Sequence, residues 1–184
     1  GSLAKARLLK IEKQSASLQL IEHSNHPRPS PPISLAIAMI RMNRLEWAIE
    51  KATELGADAI YLYAADASEK ETLSPHQLER LRHLTISALK QCGRLYLPKI
   101  ELLPNLETAL QGRILYGDTN PNAPRISSLN ISEPILFVTG PEKGFSTREE
   151  ALLKEKGEGV KRNGNILRAE TAPIAALSIL KAAI

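Results

Sequence analysis

A single cysteine, Cys92, means that no intramolecular disulfide can staple this chain. Aromatic residues make up only 4% of it, which argues against the base-stacking platforms with which RRM and OB folds grip single strands. No apolar run approaches the roughly 18 residues that a membrane-spanning helix needs. Gly1-Ser2 reads as the remnant of a tag, and the residues after it are basic and amphipathic rather than a hydrophobic leader. The histidines His23, His26, His76 and His83 share no metal-ligand spacing with Cys92 or with one another, so no metal is expected. There is neither a GxGxxG nor a Walker Lys-Ser/Thr, which disfavours a dinucleotide-binding domain and a P-loop. These absences leave a cytoplasmic protein with no membrane contact as the expectation.

What is present suits one good domain with a small appendage. The length is 184 residues and the apolar content 43%, enough for a sizeable core. Net charge is only +4, too mild to argue for nucleic acid by itself.

Two short β-like runs, "ARLLKIE" and "SLQLIEH", predict a hairpin too small to be stable alone. The Pro-stiffened "HPRPSPP" then marks a boundary, dividing a β segment over 1–30 from a main domain over 31–184. Beyond it the pattern alternates. "ISLAIAMI" and "ADAIYLY" read as buried strands; between them "NRLEWAIEKATELG" reads as a helix with Asn43 as N-cap and Glu46 at N3. A longer helix follows, with Ser74 as cap, Pro75 in the first turn, Gln77 closing the capping box and Gly93 at the end. On it Leu81, Leu84, Ala88 and Cys92 form an apolar stripe, so Cys92 is read as core packing. "RILYG" and "ILFVT" are further strands, "STREEALLKEKG" a helix boxed by Ser146 and Glu149, and "ETAPIAALSILKAAI" an apolar helix after a short strand "NILR". The Pro/Asn/Ser-rich loop from Thr119 to Pro134 is expected to be mobile. Strands alternating with helices give an α/β fold with a parallel sheet covered on both faces.

Ligands of open parallel sheets collect at the carboxyl ends of the strands. The corners of interest are therefore Tyr116-Gly117-Asp118, Thr139-Gly140-Pro141-Glu142 and the segment around Leu167-Arg168. A strand that runs straight into Gly-Pro-Glu needs no such rigid, charged corner merely to turn. "GNILRAETAPIAAL" is the second unusual stretch, because Arg168 and Glu170 stand between apolar segments where charge is costly to bury. Read alone, Glu170 and Thr171 could simply open the last helix.

Four stretches in this order, "EKATELGADAI", "ALKQCGRLYLPKI", "GPEKGF" and "ILRAETA", resemble the bacterial 16S ribosomal RNA uridine-N3 methyltransferases (RsmE type) of the SPOUT superfamily. The resemblance runs from about residue 33 to the end and more faintly through the hairpin. It implies a C-terminal deep trefoil knot, S-adenosylmethionine bound in that knot, a homodimer, and action on 16S rRNA in the small ribosomal subunit. It also implies that the hairpin is a short, partial PUA-like β segment.

On the same footing, Thr139, Gly140, Pro141, Glu142 and Gly144 would wrap the cofactor, with Gly140 admitting the ligand, Pro141 fixing φ and Gly144 supplying a turn. Leu115, Tyr116 and Gly117, with Ile166, Leu167 and Thr171, would complete the clasp. The chemistry is methyl transfer from a sulfonium to a nitrogen that must first lose a weakly acidic proton. A cation lowers that pKa and a carboxylate takes the proton, which makes Arg168 the candidate cation and Glu170 or Glu142 the orienter or base. For RNA phosphate the candidates are Arg41, Lys51, Lys90 and Arg94, the last falling on the arginine of the family's Gln-(Cys/Ser)-x-Arg pattern.

The sequence departs from the family in three places. Lys143 stands where a second glycine is usual, and Arg162-Asn163-Gly164-Asn165 replaces a Leu-Gly-x-Arg run. The β segment before the main domain is also short, whereas relatives carry a complete barrel. A different RNA acceptor such as a ribose 2′-hydroxyl, or a non-catalytic ribosome-binding dimer, stays open at this point.

Overall fold

A computed structural model describes residues 1–68, 72–161 and 164–184. Two long antiparallel strands, β1 (Ser2–Ile11) and β2 (Ala16–Asn25), form a separate hairpin whose side chains are exposed nearly throughout. The hairpin is tied to the rest near its base. Tyr96 Oη donates to the carbonyl of His26 at 2.6 Å, and the Arg28 guanidinium lies 4.9 Å from the centre of the Tyr96 ring.

The remaining strands make one parallel sheet: β3 (Ile33–Ala38), β4 (Ala59–Tyr63), β5 (Lys99–Leu103), β6 (Arg113–Gly117), β7 (Ile135–Thr139) and β8 (Glu158–Val160). The spatial order is β5-β4-β3-β7-β6-β8, so the chain winds outward from β3 to β5 and then crosses to the other side of β3. That reversal falls between β3 and β7, where a parallel sheet opens a crevice at its carboxyl edge.

Period-2 alternation in the central strands serves two cores. Leu35 and Ile37 face one layer, made by α1 (Met42–Glu54), α2 (Pro75–Cys92) and α5 (Thr171–Ala182). Ala36 and Ala38 face the other, with α3 (Leu106–Ala109) and α4 (Thr147–Lys156). Burial on both faces explains why β3 and β7 read as unbroken apolar runs.

The capping boxes at Ser74/Gln77 and Ser146/Glu149 form as their spacing predicts, and Gly93 closes α2 in the left-handed conformation at φ +72°. The start of α1 differs. Arg41 holds the N-cap position without a side-chain cap, and its carbonyl already accepts the amides of Arg44 and Leu45, so Asn43 lies inside the first turn and cannot cap it. Cys92 is exposed at the end of α2 rather than packed in the core; Leu81, Thr85 and Ala88 face inward instead. "NILR" is not a strand. The edge beside β6 is taken by the three-residue β8, too short to stand out in sequence, and β5 was hidden by its Lys-Glu alternation. The Thr119–Pro134 loop is pinned midway: Ile126 is buried and Arg125 bridges Lys161. Of the Arg162-Asn163-Gly164-Asn165 departure, Arg162 and Asn163 lie outside the described residues. Among the described residues no helix is long and apolar enough to cross a membrane.

Candidate active site

The carboxyl ends of β6 and β7 open into a cleft of about 630 Å³, within the range of small-molecule sites. All three corners singled out in the sequence line it: Tyr116-Gly117-Asp118, Thr139 through Glu142, and Ile166 through Arg168. They are distant in sequence and meet because β6 and β7 are neighbours and α5 packs against β7.

The Gly-Pro-Glu corner is a tight turn, with the amide of Gly144 donating to the carbonyl of Pro141 at 3.0 Å. Gly144 has φ +83°, a conformation that only glycine adopts without strain. Gly140 is needed for another reason. A Cβ there would stand 3.2 Å from the Phe145 ring, which folds back over the corner. On β8, a Cβ at Gly159 would meet Asp118 Oδ2 at 2.7 Å and Tyr116 Oη at 3.1 Å, so glycine at that position lets both side chains sit at the cleft. The Tyr116 phenol is raised above its ordinary range, first by burial and then by the carboxylates of Asp118 and Glu150.

The cleft wall mixes both signs: two carboxylates against one ammonium on one side, with Lys154 Nζ 3.6 Å from Glu150 Oε2, and two guanidiniums against Glu142 on the other. Asp118, Glu150 and Lys154 come from the β6 and α4 side, whereas Arg44 and Arg168 come from the first turn of α1 and the approach to α5. Arg44 was not anticipated from the sequence. Its Nη1 lies 3.4 Å from Glu142 Oε1 and its Nε 3.8 Å from Glu170 Oε1. A signal existed: a cation in the first turn opposes the helix dipole and so calls for a nearby carboxylate. Phe145, adjacent to the quoted corner, was also missed.

Several anticipated residues stand elsewhere. Leu115 is fully buried in the sheet, and Thr171 opens α5 with its amide bonded to the carbonyl of Arg168; neither reaches the cleft wall. Glu170 is buried behind the wall and finds its cation on α1, not at Arg168 two residues away. Arg168 and Ile166 are exposed at the cleft. Lys143 is exposed and outside the wall, so its bulk is accommodated.

Of the phosphate candidates, Arg41 and Lys90 are exposed. Lys51 lies between Glu50 at 2.8 Å and Glu54 at 2.7 Å. Arg94 is half-buried and donates to the carbonyls of Thr53 (2.9 Å) and Ala57 (3.1 Å), closing the C-terminal end of α1. Burial pulls its guanidinium below the ordinary value, partly offset by Asp58.

The model of the RNA methyltransferase domain matches residues 27–181, which fixes the class. The ribosomal RNA small subunit methyltransferase E of Rickettsia conorii is 31% identical, over 94% of this chain and 73% of its own. The crystal structure of a ribosomal RNA small subunit methyltransferase E from Neisseria gonorrhoeae, bound to S-adenosyl methionine, superposes with a TM-score of 0.84 at 27% identity, over 97% of this chain and 77% of that one. A TrmH/SpoU tRNA modifying enzyme from A. aeolicus superposes with a TM-score of 0.58 at 14% identity, over 85% of this chain and 77% of that one, a likeness of fold alone. This chain belongs to the ribosomal RNA small subunit methyltransferase E family.

Proposed function

We propose that the protein transfers a methyl group from S-adenosylmethionine to N3 of a specific uridine of 16S rRNA in the small ribosomal subunit. The observation that carries this reading is the meeting of the three corners, two guanidiniums and Glu142 in one cleft at the carboxyl ends of β6 and β7. The cytoplasm is where that substrate lies.

The cleft suits the cofactor. Val138, Pro141, Phe145, Leu153 and Ala172 offer an apolar bed for a nucleobase. Asp118 and Glu150 offer negative charge to a sulfonium and an ammonium, and need no metal. When bound, S-adenosylmethionine supplies a methyl group already activated by its sulfonium, so the chain's own residues must mainly orient the acceptor and manage one proton. In this reading Arg168, which lines the cleft, stabilises the uracil as N3 becomes anionic, and Glu142, also in the wall, accepts the proton. Glu170, buried, acts through its partner rather than on substrate.

Finer features belong to the same proposal. The segment leading through Ile166–Arg168 into α5 forms a deep trefoil knot around the cofactor, and the enzyme works as a homodimer. Residues 1–30 serve as a partial PUA-like element, distinct from the catalytic domain over 31–184. Arg41 and Lys90, both on the surface, contact RNA phosphate, with Lys51 and Arg94 supporting the helices that carry them.

The test is calorimetric titration with S-adenosylmethionine, followed by methyl transfer to small subunits lacking the modification. Micromolar binding, about 8 kcal/mol, together with N3-methyluridine found by mass spectrometry of the rRNA, is the expected result. Methylation at a ribose hydroxyl instead would overturn the choice of acceptor. A folded protein that binds no S-adenosylmethionine would overturn the enzymatic reading.

A further inference from the structure

Arg44 faces the cleft between two carboxylates, Glu142 beside it in the wall and Glu170 buried behind. Glu142 Oε1 lies 3.4 Å from Nη1, and Glu170 Oε1 lies 3.8 Å from Nε. Glu170 is 9% exposed and among the described residues its Oε2 has neither solvent contact nor a hydrogen-bond partner, while Arg44 is the guanidinium that faces its other oxygen. A half-satisfied buried carboxylate is costly. Arg44 lines the cleft while Glu170 does not. A guanidinium carries five N–H donors, so pairing with the two carboxylates leaves donors for a ligand.

We propose that Arg44 is a second substrate-facing guanidinium, acting beside Arg168 to stabilise negative charge on the uracil carbonyl oxygens as the N3 proton departs to a carboxylate. This rests on the uridine-N3 reading above and adds a residue to it. The balance of charge in the cleft wall bears on which ligand Arg44 serves: Lys154 offsets one of two carboxylates on the β6 and α4 side, and Glu142 offsets one of two guanidiniums on the other. Asp118 and Glu150, on the β6 and α4 side, match the cationic sulfonium and ammonium. Arg44 and Arg168 come from the opposite helical layer, and an acceptor that becomes anionic during reaction is the partner matching two guanidiniums. Preorganised donors aimed at developing charge are the strongest single device in such sites. Glu170, behind the wall, supplies the preorganisation and is a positioning residue, whereas Glu142 is the proton acceptor of the proposed reaction.

The experiment compares the wild type, Arg44→Ala and Arg44→Lys on small subunits reconstituted with rRNA transcribed from uridine or from 5-fluorouridine. Fluorine at C5 withdraws electrons and makes N3–H more acidic, so less help is needed to form the anion. Arg44→Ala should keep S-adenosylmethionine affinity within about threefold and lose about 10²-fold in rate on uridine, the usual cost of removing one such donor. On 5-fluorouridine the loss should be clearly smaller. Arg44→Lys, which keeps the charge but not the planar fork, should fall between and show the same sensitivity to fluorine; it also serves if the alanine variant fails to fold. Full rate in Arg44→Ala overturns the proposal. So does a loss of cofactor affinity without loss of rate at saturation, which would assign Arg44 to the cofactor. An equal loss on both RNAs overturns it too, since it indicates a merely structural role. If the wild type methylates neither RNA at N3, the uridine reading falls and this inference with it; an active wild type with an unaffected alanine variant sinks this inference alone.

Discussion

Tyr63 reaches across β3 and donates a 2.9 Å hydrogen bond from its hydroxyl to the carbonyl of Thr139, joining the carboxyl ends of β4 and β7 inside the core. Burial, and secondarily the carboxylate of Glu149, pushes the phenol well above its ordinary range, so it remains a donor at any working pH. Thr139 is the residue from which the Gly-Pro-Glu corner hangs.

Removing that hydroxyl should therefore be felt at a distance. Tyr63→Phe leaves a buried carbonyl short of a donor, at a cost of about 1–3 kcal/mol. For a domain of this size that corresponds to a fall in Tm of about 2–4 °C per kcal/mol. Thermal melts check the stability, and calorimetry should show weaker S-adenosylmethionine binding because the corner loses its tether. Unchanged melting and binding would mean that the bond contributes nothing.

At the corner itself, Gly140→Ala should be more damaging than its size suggests. The new methyl would stand 3.2 Å from the Phe145 ring, so the ring or the turn must shift. Overpacking of this kind costs about 1–3 kcal/mol, and here it distorts the cleft wall. The expected outcome is a loss of cofactor affinity in calorimetry larger than the loss of stability in urea.

Asp66 gives a prediction with a definite sign. Hydrogen bonds from Arg148, and then from the Ser146 hydroxyl, hold its carboxyl below the ordinary value. A carboxyl depressed in the folded state contributes stability that is complete above its unfolded pKa, about 3.9, and that is lost as pH falls through the lower folded value. Urea denaturation from pH 7 to pH 2.5 should show wild type more stable than Asp66→Asn at neutral pH, with the gap closing below about pH 4. A gap that stays constant with pH would assign the difference to packing.

Arg94 and Lys90 separate structural from RNA-binding cations. Arg94→Ala strips two donors from the end of α1 and should cost about 1.5–3 kcal/mol, the range for charged hydrogen bonds. Lys90→Ala, at an exposed position, should leave stability within about 0.5 kcal/mol. It should weaken RNA binding at all sequences and lower the salt slope by about 1. Filter binding across a salt series, run beside melts, checks both. Lys90→Ala with an unaltered salt slope would remove it from the interface.

By itself the sequence determined what depends on local pattern. Unbroken apolar runs announced β3, β4, β6 and β7, because strands buried on both faces admit no polar alternation. Ser74-Pro75-x-Gln77 and Ser146-x-x-Glu149 announced the starts of α2 and α4, because each box is closed within one turn. The rigid corners at strand ends announced the cleft, since the carboxyl edge of a parallel sheet is where loops can meet a ligand. Tertiary structure alone decided what depends on partners far along the chain. Placing Arg44 against Glu142 and Glu170 required α1 to pack on α5 beside β7, a pairing across about a hundred residues or more that no local spacing encodes. Arg94 read as a phosphate ligand in sequence, but with α2 laid against α1 this residue, just past the end of α2, bonds the carbonyls of Thr53 in the last turn of α1 and of Ala57 beyond it. Short-range capping and periodicity are written in neighbouring residues; the destination of a long charged side chain is settled only when the surfaces it lies between have come together.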